Sequence, residues 1–246
     1  MTTDVRTTAP TPSTPRRTVP MRRISLAAGL LYLVTFAASI PQLVLFADLV
    51  ADPAGFIRTP GSSTAVMWGS WLEVITALSG VGTALVLYPV TRRVSRIAAL
   101  GFVTSRVVEG TMILVGVLCV LSVVALRGDL AGAVGTQGEA LGVVGRALVE
   151  VRQWSFLVGP GLMPGINALF LGYVMYRSRL VPRLIPTIGL LGAPLILLSA
   201  TVTMLGGWGQ VSVAGSLCAL PIALWEFSLG MWLTVTGFRT TSPTSP

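Results

Sequence analysis

Six long apolar runs, separated by short polar links, divide the chain. They cover approximately residues 24–47, 65–90, 97–126, 153–176, 184–206 and 212–238. Each has roughly the 20 residues that an α-helix needs to cross the hydrocarbon core of a bilayer. The pattern therefore predicts an all-α, polytopic membrane protein, a bundle of six transmembrane helices within one domain at 22–239.

The segments outside the apolar runs are polar. Residues 1–21 are rich in threonine and proline, and 240–246 are short and polar, so both are predicted to be disordered tails. Between the third and fourth runs, four polar residues share one stripe at helical spacing: Glu139, Arg146, Glu150 and Gln153. The stripe predicts either a helix lying along the membrane interface or a solvated extension of the fourth span.

Composition supports the membrane class and narrows the chemistry. The chain is 53% hydrophobic and only 11% charged, against about 25% charged residues in soluble domains. Histidine is absent from the sequence, which excludes His-ligated zinc and His-activated nucleophiles. Because all four aspartates lie in tails or loops, no aspartate pair is predicted inside the membrane. We therefore predict no enzyme, and no catalytic, cofactor-binding or metal-binding residues.

The positive charge is supplied by arginine alone and is unevenly distributed. Of the 17 arginines, 12 fall in the two tails, the second-to-third link and the fourth-to-fifth link, and 4 fall on the other side. An excess of basic residues marks the cytoplasmic side of a polytopic protein. We predict that both termini are cytoplasmic, in a multi-pass protein of the inner membrane, whose partner is the lipid bilayer rather than nucleic acid.

Four charged residues lie inside the apolar runs: Glu73, Arg106, Glu109 and Glu226. A charge at the bilayer centre costs about 2.5–3.5 kcal/mol on insertion scales, so each needs a partner or a wet cavity. Arg106 and Glu109 are three residues apart and share a helix face, and the other two glutamates lie in stripes of small residues that mark helix contacts. At 1.5 Å per residue, Glu73 lies roughly 25 Å from the cytoplasmic end and the others roughly 14–18 Å. We predict that all four side chains converge.

This predicted cluster is unbalanced in charge. Three carboxylates against one guanidinium leave two negative charges without a partner in a medium of low dielectric constant. We hypothesise that Arg106 pairs with Glu109 or Glu226, and that one of the remaining glutamates is protonated near neutral pH. Two interpretations stay open: a clamp that fixes helix register, or a site for a solute or a proton.

The fourth run contains a candidate helix break near its middle. The stretch GPGLMPG at 159–165 removes backbone hydrogen bonds and kinks the helix. Interrupted helices at the midplane line transporter sites, whereas glycine and proline are also common in ordinary membrane helices. The candidate residues are Pro160, Gly161, Pro164, Gly165 and Asn167.

Four stretches resemble the bacterial membrane-protein family catalogued as domain of unknown function 4386. They are GLLYL (29–33), LYPVTRRVSRIAALGFVTSRVVEG (87–110), LGYVMYRSRLVPRLIPTIGLLGAP (171–194) and PIALWEFSLGMWLTVTGF (221–238). The most specific pieces are the Arg106-x-x-Glu109 pair, the Arg177-Ser178-x-Leu180-Val181-Pro182-Arg183 link, and Glu226 ahead of Trp232 and Gly237-Phe238. The resemblance implies a six-helix bacterial inner-membrane protein, and it supplies no catalytic or ligand residues.

Two functions follow from these patterns. A proton-linked or small-solute carrier would use the midplane carboxylates and the interrupted fourth helix. A structural or accessory membrane protein would use the same Arg–Glu cluster only to fix helix packing. Six short helices are few for a carrier, so the first function favours a homo-oligomer; the residues do not identify a small-molecule ligand.

Overall fold

The computed structural model describes residues 21–58, 61–130, 136–210 and 212–239, and the regular elements in these ranges are all helical. They are α1 (Met21–Leu45), α2 (Ala47–Ala51), α3 (Pro53–Arg58), α4 (Thr64–Thr91), α5 (Arg96–Leu130), α6 (Thr136–Phe156), a π-helical segment (Leu157–Leu162), α7 (Met163–Ser178), α8 (Leu184–Met204) and α9 (Val213–Val235). The predicted tails lie outside the described residues, apart from Met21, at which α1 begins.

Six helices are long and apolar enough to cross a membrane, as the sequence predicts. Five of them end within a few residues of the predicted limits. The fourth is longer, because α6, the π-helical segment and α7 form one continuous span, Gly138–Ser178. The polar stripe before it therefore belongs to an extension of the fourth span and not to a separate interfacial helix. This extension is only partly solvated, since Val149, Arg152 and Ser155 are buried.

The six spans pack in a closed ring that follows chain order. Each span contacts the next, and α9 returns to α1. One apolar cluster, which includes Tyr32, Phe102 and Trp225, fills the half of the bundle that holds the start of α1 and the end of α9. A second cluster fills the other half, where α2 and α3 contribute the fully buried Leu49 and Ile57. The ring places the polar side chains of several spans in its interior.

Local signals in the sequence explain where the helices end. The Ser212 side chain caps α9 by accepting a hydrogen bond from the Gly215 amide at 3.1 Å. Arg179 closes α7 in the left-handed conformation, with φ of 57°. Arg22 donates to the carbonyl oxygens of Leu233 (3.1 Å) and Thr234 (2.8 Å). These carbonyl groups lie in the last turn of α9, where no amide of the helix is left to donate to them. The ends of α1 and α9 are therefore tied together.

Gly29 sets the closest approach of α1 to α9. A β-carbon at this position would lie 2.6 Å from the Thr234 backbone nitrogen and 2.8 Å from the Gly230 carbonyl oxygen. Both are backbone atoms, so a clash cannot be relieved by rotating a side chain. Close backbone contact through small residues is the usual basis of helix association in membranes.

We expect Gly29→Ala to lower the free energy of unfolding by about 1–3 kcal/mol, the usual range for overpacking. Thermal unfolding of the purified protein in detergent measures the loss. Gly128→Ala is the matched control, because a β-carbon at Gly128 has no atom within 4 Å and the residue is exposed on α5. Equal stability of the two variants would contradict the close approach of α1 and α9.

Candidate functional site

Arg106 lies in the interior of the bundle and joins two helices. It projects from α5 and is only 2% exposed. Its Nη1 donates to Glu109 Oε2 at 3.0 Å, one turn along the same helix, and its Nη2 donates to Glu226 Oε1 on α9. The structure therefore brings together three of the four charged residues singled out in the apolar runs.

Two aromatic rings surround the Arg106 guanidinium. Its central carbon lies 5.4 Å from the centre of the Tyr32 ring and 5.7 Å from that of Phe102. Arg106 Nη2 also donates to the Tyr32 hydroxyl at 3.4 Å, a long hydrogen bond. Ring faces attract a desolvated cation. Tyr32 thus brings α1 into the site. Its place in the GLLYL stretch is the only sign of this role in the sequence pattern.

Asn167 connects α7 to the same network. Its Nδ2 donates to Glu109 Oε2 at 2.6 Å, and its Oδ1 accepts from Ser105 Oγ at 2.5 Å. Asn167 is 1% exposed, so both ends of its amide are satisfied inside the protein. The sequence marks this residue as part of a helix break, whereas the structure gives it a hydrogen-bonding role toward Glu109. We call Tyr32, Arg106, Glu109, Asn167 and Glu226 the central cluster.

The central cluster contains one cation and two carboxylates. The side chains of Glu109 and Glu226 are 11% and 12% exposed, so both are largely removed from solvent. A cavity of about 10 Å³ adjoins Arg106 and Glu109, which is roughly the space that one water molecule occupies. Full ionisation would leave one net negative charge in this enclosed site.

Glu73 does not join the central cluster, which corrects the predicted convergence of all four charges. Its Oε1 accepts a hydrogen bond from Arg152 Nη2 at 2.8 Å, and the two residues are 4% and 7% exposed. The Arg152 guanidinium also lies 4.5 Å from the centre of the Phe46 ring. The reason is that α6 continues into the fourth span and carries Arg152 into the bundle, where its side chain reaches Glu73 on α4. With Arg152 as a second cation, the three interior carboxylates leave one negative charge without a partner, and not the two that the sequence predicts.

Arg152 is a functional candidate that the sequence pattern misses, because the distribution of arginines predicts that it lies near the non-cytoplasmic surface of the membrane. Two signals in the sequence point to its burial. It lies outside the polar stripe of α6, and a further buried cation would reduce the predicted excess of carboxylates over cations inside the membrane.

The candidate helix break is a change of helix type. Leu157–Leu162, which contains Pro160 and Gly161, is π-helical, and α7 begins at Met163 with Pro164 in its first turn. Such segments arise where the regular hydrogen-bond ladder is disturbed and are frequent at functional sites. Gly165 has a packing role, since a β-carbon there would lie 2.8 Å from Ile196 Cγ2 and 3.2 Å from the Ala193 carbonyl oxygen on α8.

Comparison with known proteins identifies a family. The family described as "Domain of unknown function (DUF4386)" matches residues 27–237, which is most of the chain. The chain belongs to this family, and the resemblance read from its sequence is confirmed. No curated protein and no solved structure matches it.

Proposed function

We propose that this DUF4386 protein is a multi-pass membrane protein in which the central cluster takes up and releases a proton, as part of a proton-linked carrier. The observation that supports the proposal is the sharing of one guanidinium by two interior carboxylates, Glu109 and Glu226. Ionisable groups inside a membrane bundle commonly mark ion pathways and proton relays.

The net charge of the central cluster is the reason that it would bind one proton. With both carboxylates ionised and Arg106 positive, the site has a net charge of −1, which is costly in low dielectric surroundings. One bound proton makes it neutral. The two carboxylates contact the same guanidinium, so the proton belongs to the pair and not to either residue alone. Release of this proton to one side and uptake from the other would couple the site to a proton gradient.

A flux assay tests the proposal. Purified protein is reconstituted into liposomes that enclose a pH-sensitive dye, and a pH step is applied outside. We expect proton flux in the wild type and a loss of that flux to the level of empty liposomes in Glu226→Gln, because a neutral amide cannot bind and release the proton.

Glu139→Gln is the matched control for this assay, since it makes the same chemical change at an exposed position of α6. Its flux should equal that of the wild type. Wild-type flux no greater than that of empty liposomes, with a proton gradient and with candidate solutes added, would refute a transport role.

A structural role is the second candidate, and a specific observation favours it. The central cluster links α1, α5, α7 and α9 through Tyr32, Arg106, Glu109, Asn167 and Glu226, and the adjoining cavity is only about 10 Å³. Such a network would fix the register of four helices and would transport neither a proton nor a solute. In that case Glu226→Gln should lower the unfolding temperature, with no flux in either protein.

The proposed orientation has both termini in the cytoplasm and the protein in the inner membrane of a bacterium. It is supported by the arginines at one end of the bundle, all of which are exposed: Arg22, Arg23, Arg92, Arg93, Arg96, Arg177, Arg179, Arg183 and Arg239. The proposal concerns transport and assigns no enzymatic reaction. We also propose a homo-oligomer, because six helices are few for a carrier.

A further inference from the structure

Two small cavities lie beside α5, one between α5, α1 and α4 and the other between α5, Glu73 of α4 and the fourth span. The first, the Arg106 cavity, is lined by Gly80, Arg106 and Glu109 among others. The second, the Glu73 cavity, is lined by Glu73, Arg152 and Ser155 among others. Each has a volume of about 10 Å³, roughly enough for one water molecule. The buried side chain of Ile113 forms a wall of both cavities, so they are neighbours.

Buried polar atoms without a partner belong to the residues that line these cavities. Among the described residues, Glu73 Oε2 and Arg152 Nε have no hydrogen-bond partner, and both residues line the Glu73 cavity. Arg106 Nε is likewise without a partner among them, and Arg106 lines the other cavity. Such atoms are rare in proteins, and ordered water usually satisfies them. The chemistry of both cavities therefore suits a bound water molecule.

A third, larger cavity opens next to the Glu73 cavity. It has a volume of about 210 Å³ and is lined by Ser199, Thr203 and Gln210 among others, so we call it the Gln210 cavity. Phe156 and Pro160 line both this cavity and the Glu73 cavity. The π-helical segment thus lies between them. Because Gln210 follows α8, the larger cavity is at the end of the bundle opposite the arginine-rich links.

We propose that Glu73 and Arg152 form a proton relay between the Gln210 cavity and the central cluster. This inference rests on the proposed function and adds the route by which a proton reaches the central cluster. A proton from water in the Gln210 cavity passes to water in the Glu73 cavity and binds the Glu73 carboxylate, which becomes a neutral acid. Glu73 then gives the proton to water in the Arg106 cavity, on the other side of Ile113, and this water passes it to the Glu109–Glu226 pair. Glu73 is ionised again and re-forms its ion pair with Arg152, so one proton has moved and no other bond has changed.

The surroundings of the Glu73 carboxylate are more consistent with a proton relay than with a purely structural ion pair. One carboxylate oxygen is held by Arg152, which leaves the other oxygen without a protein partner among the described residues. A pair that served packing alone would be expected to satisfy both oxygens. Glu73 precedes Thr76 and Ala77, which line the Arg106 cavity, by about one helical turn. Glu73 therefore lies one turn along α4 from the wall of the cavity that adjoins Arg106 and Glu109.

The flux assay in liposomes tests the relay with two variants. Glu73→Gln removes the titrating group but keeps an oxygen that can accept from Arg152. Gly116→Ala places a methyl group in the wall of the Glu73 cavity, 3.2 Å from Ser155 Oγ. We expect Glu73→Gln to slow proton flux at least about 10²-fold, the usual contribution of a positioned acid or base, and Gly116→Ala to slow it measurably. Gly128→Ala, the same change at an open position of α5, should leave the flux unchanged.

Infrared difference spectroscopy separates failure of the relay from failure of the proposed function. The C=O stretch of a protonated carboxyl group that disappears in Glu226→Gln reports the central cluster at equilibrium. If the relay is correct, this band keeps its amplitude in Glu73→Gln and in Gly116→Ala while the flux falls. Unchanged flux in both variants overturns the relay and leaves the proposed function intact. Absence of both flux and band in the wild type overturns the proposed function itself, and the relay with it.

Discussion

Replacing Arg106 with methionine is expected to lower the free energy of unfolding by about 3–5 kcal/mol, the usual cost of removing one partner from a buried charge network. Arg106 is the cation that both Glu109 and Glu226 contact. Without it, two carboxylates face each other in the interior of the bundle, and the Tyr32 and Phe102 rings lose the cation between them. Unfolding in detergent, followed by tryptophan fluorescence, measures the loss.

A triple variant distinguishes lost charge balance from lost packing. Arg106→Met combined with Glu109→Gln and Glu226→Gln removes the cation and both negative charges together. We expect it to recover more than half of the stability lost by Arg106→Met, because buried charges without a partner are what makes the single change costly. Arg146→Met, at an exposed position of α6, is the control and should be close to the wild type. Equal stability of Arg106→Met and Arg146→Met would contradict a buried Arg106.

The fold could be predicted from the sequence because the bilayer restricts the possible structures. A run of about 20 apolar residues has essentially one solution in hydrocarbon, a helix that satisfies its own backbone. All six spans therefore follow from hydropathy. The full length of the fourth does not, because polar residues at Glu139, Arg146 and Glu150 interrupt the apolar pattern while the helix itself continues.

The central cluster could be predicted in part, for a related reason. Arg106 and Glu109 lie one turn apart on one helix, a relation that sequence spacing determines. Glu226 lies at a similar estimated depth, and helices of similar depth are able to meet. Depth alone does not determine which helices are neighbours. The partners Tyr32 and Asn167 depend on the closed ring of spans, which no local pattern specifies.

Glu73 shows where reasoning from depth fails. Its estimated depth of roughly 25 Å lies nearer to one membrane surface than the roughly 14–18 Å of the other charges, and convergence of all four requires a side chain to bridge this difference. The structure supplies a closer cation instead, Arg152 at 2.8 Å, from a helix that sequence reasoning placed near the surface. The charge excess predicted at the site was itself the indication that one cation was missing.

The Glu73–Arg152 pair is expected to behave as a coupled unit in a double-mutant cycle. Arg152→Met should destabilise the protein by about 3–5 kcal/mol, because it leaves the Glu73 carboxylate buried without a counter-charge. Glu73→Leu should have a similar effect, since it leaves the Arg152 guanidinium unpaired among Phe46 and Phe156. The double variant should lose much less than the sum of the two, since an apolar pair of similar size replaces a buried ion pair with little net cost.

Chemical unfolding in detergent of the wild type, both single variants and the double variant gives the coupling energy. We expect the coupling to exceed about 3 kcal/mol, the upper end of the usual range for side chains in direct contact, because each single change leaves a buried charge without a partner. Pairing each single change with Arg146→Met gives the reference, because Arg146 is exposed. Strictly additive losses for Glu73 and Arg152 would contradict the ion pair between the two side chains.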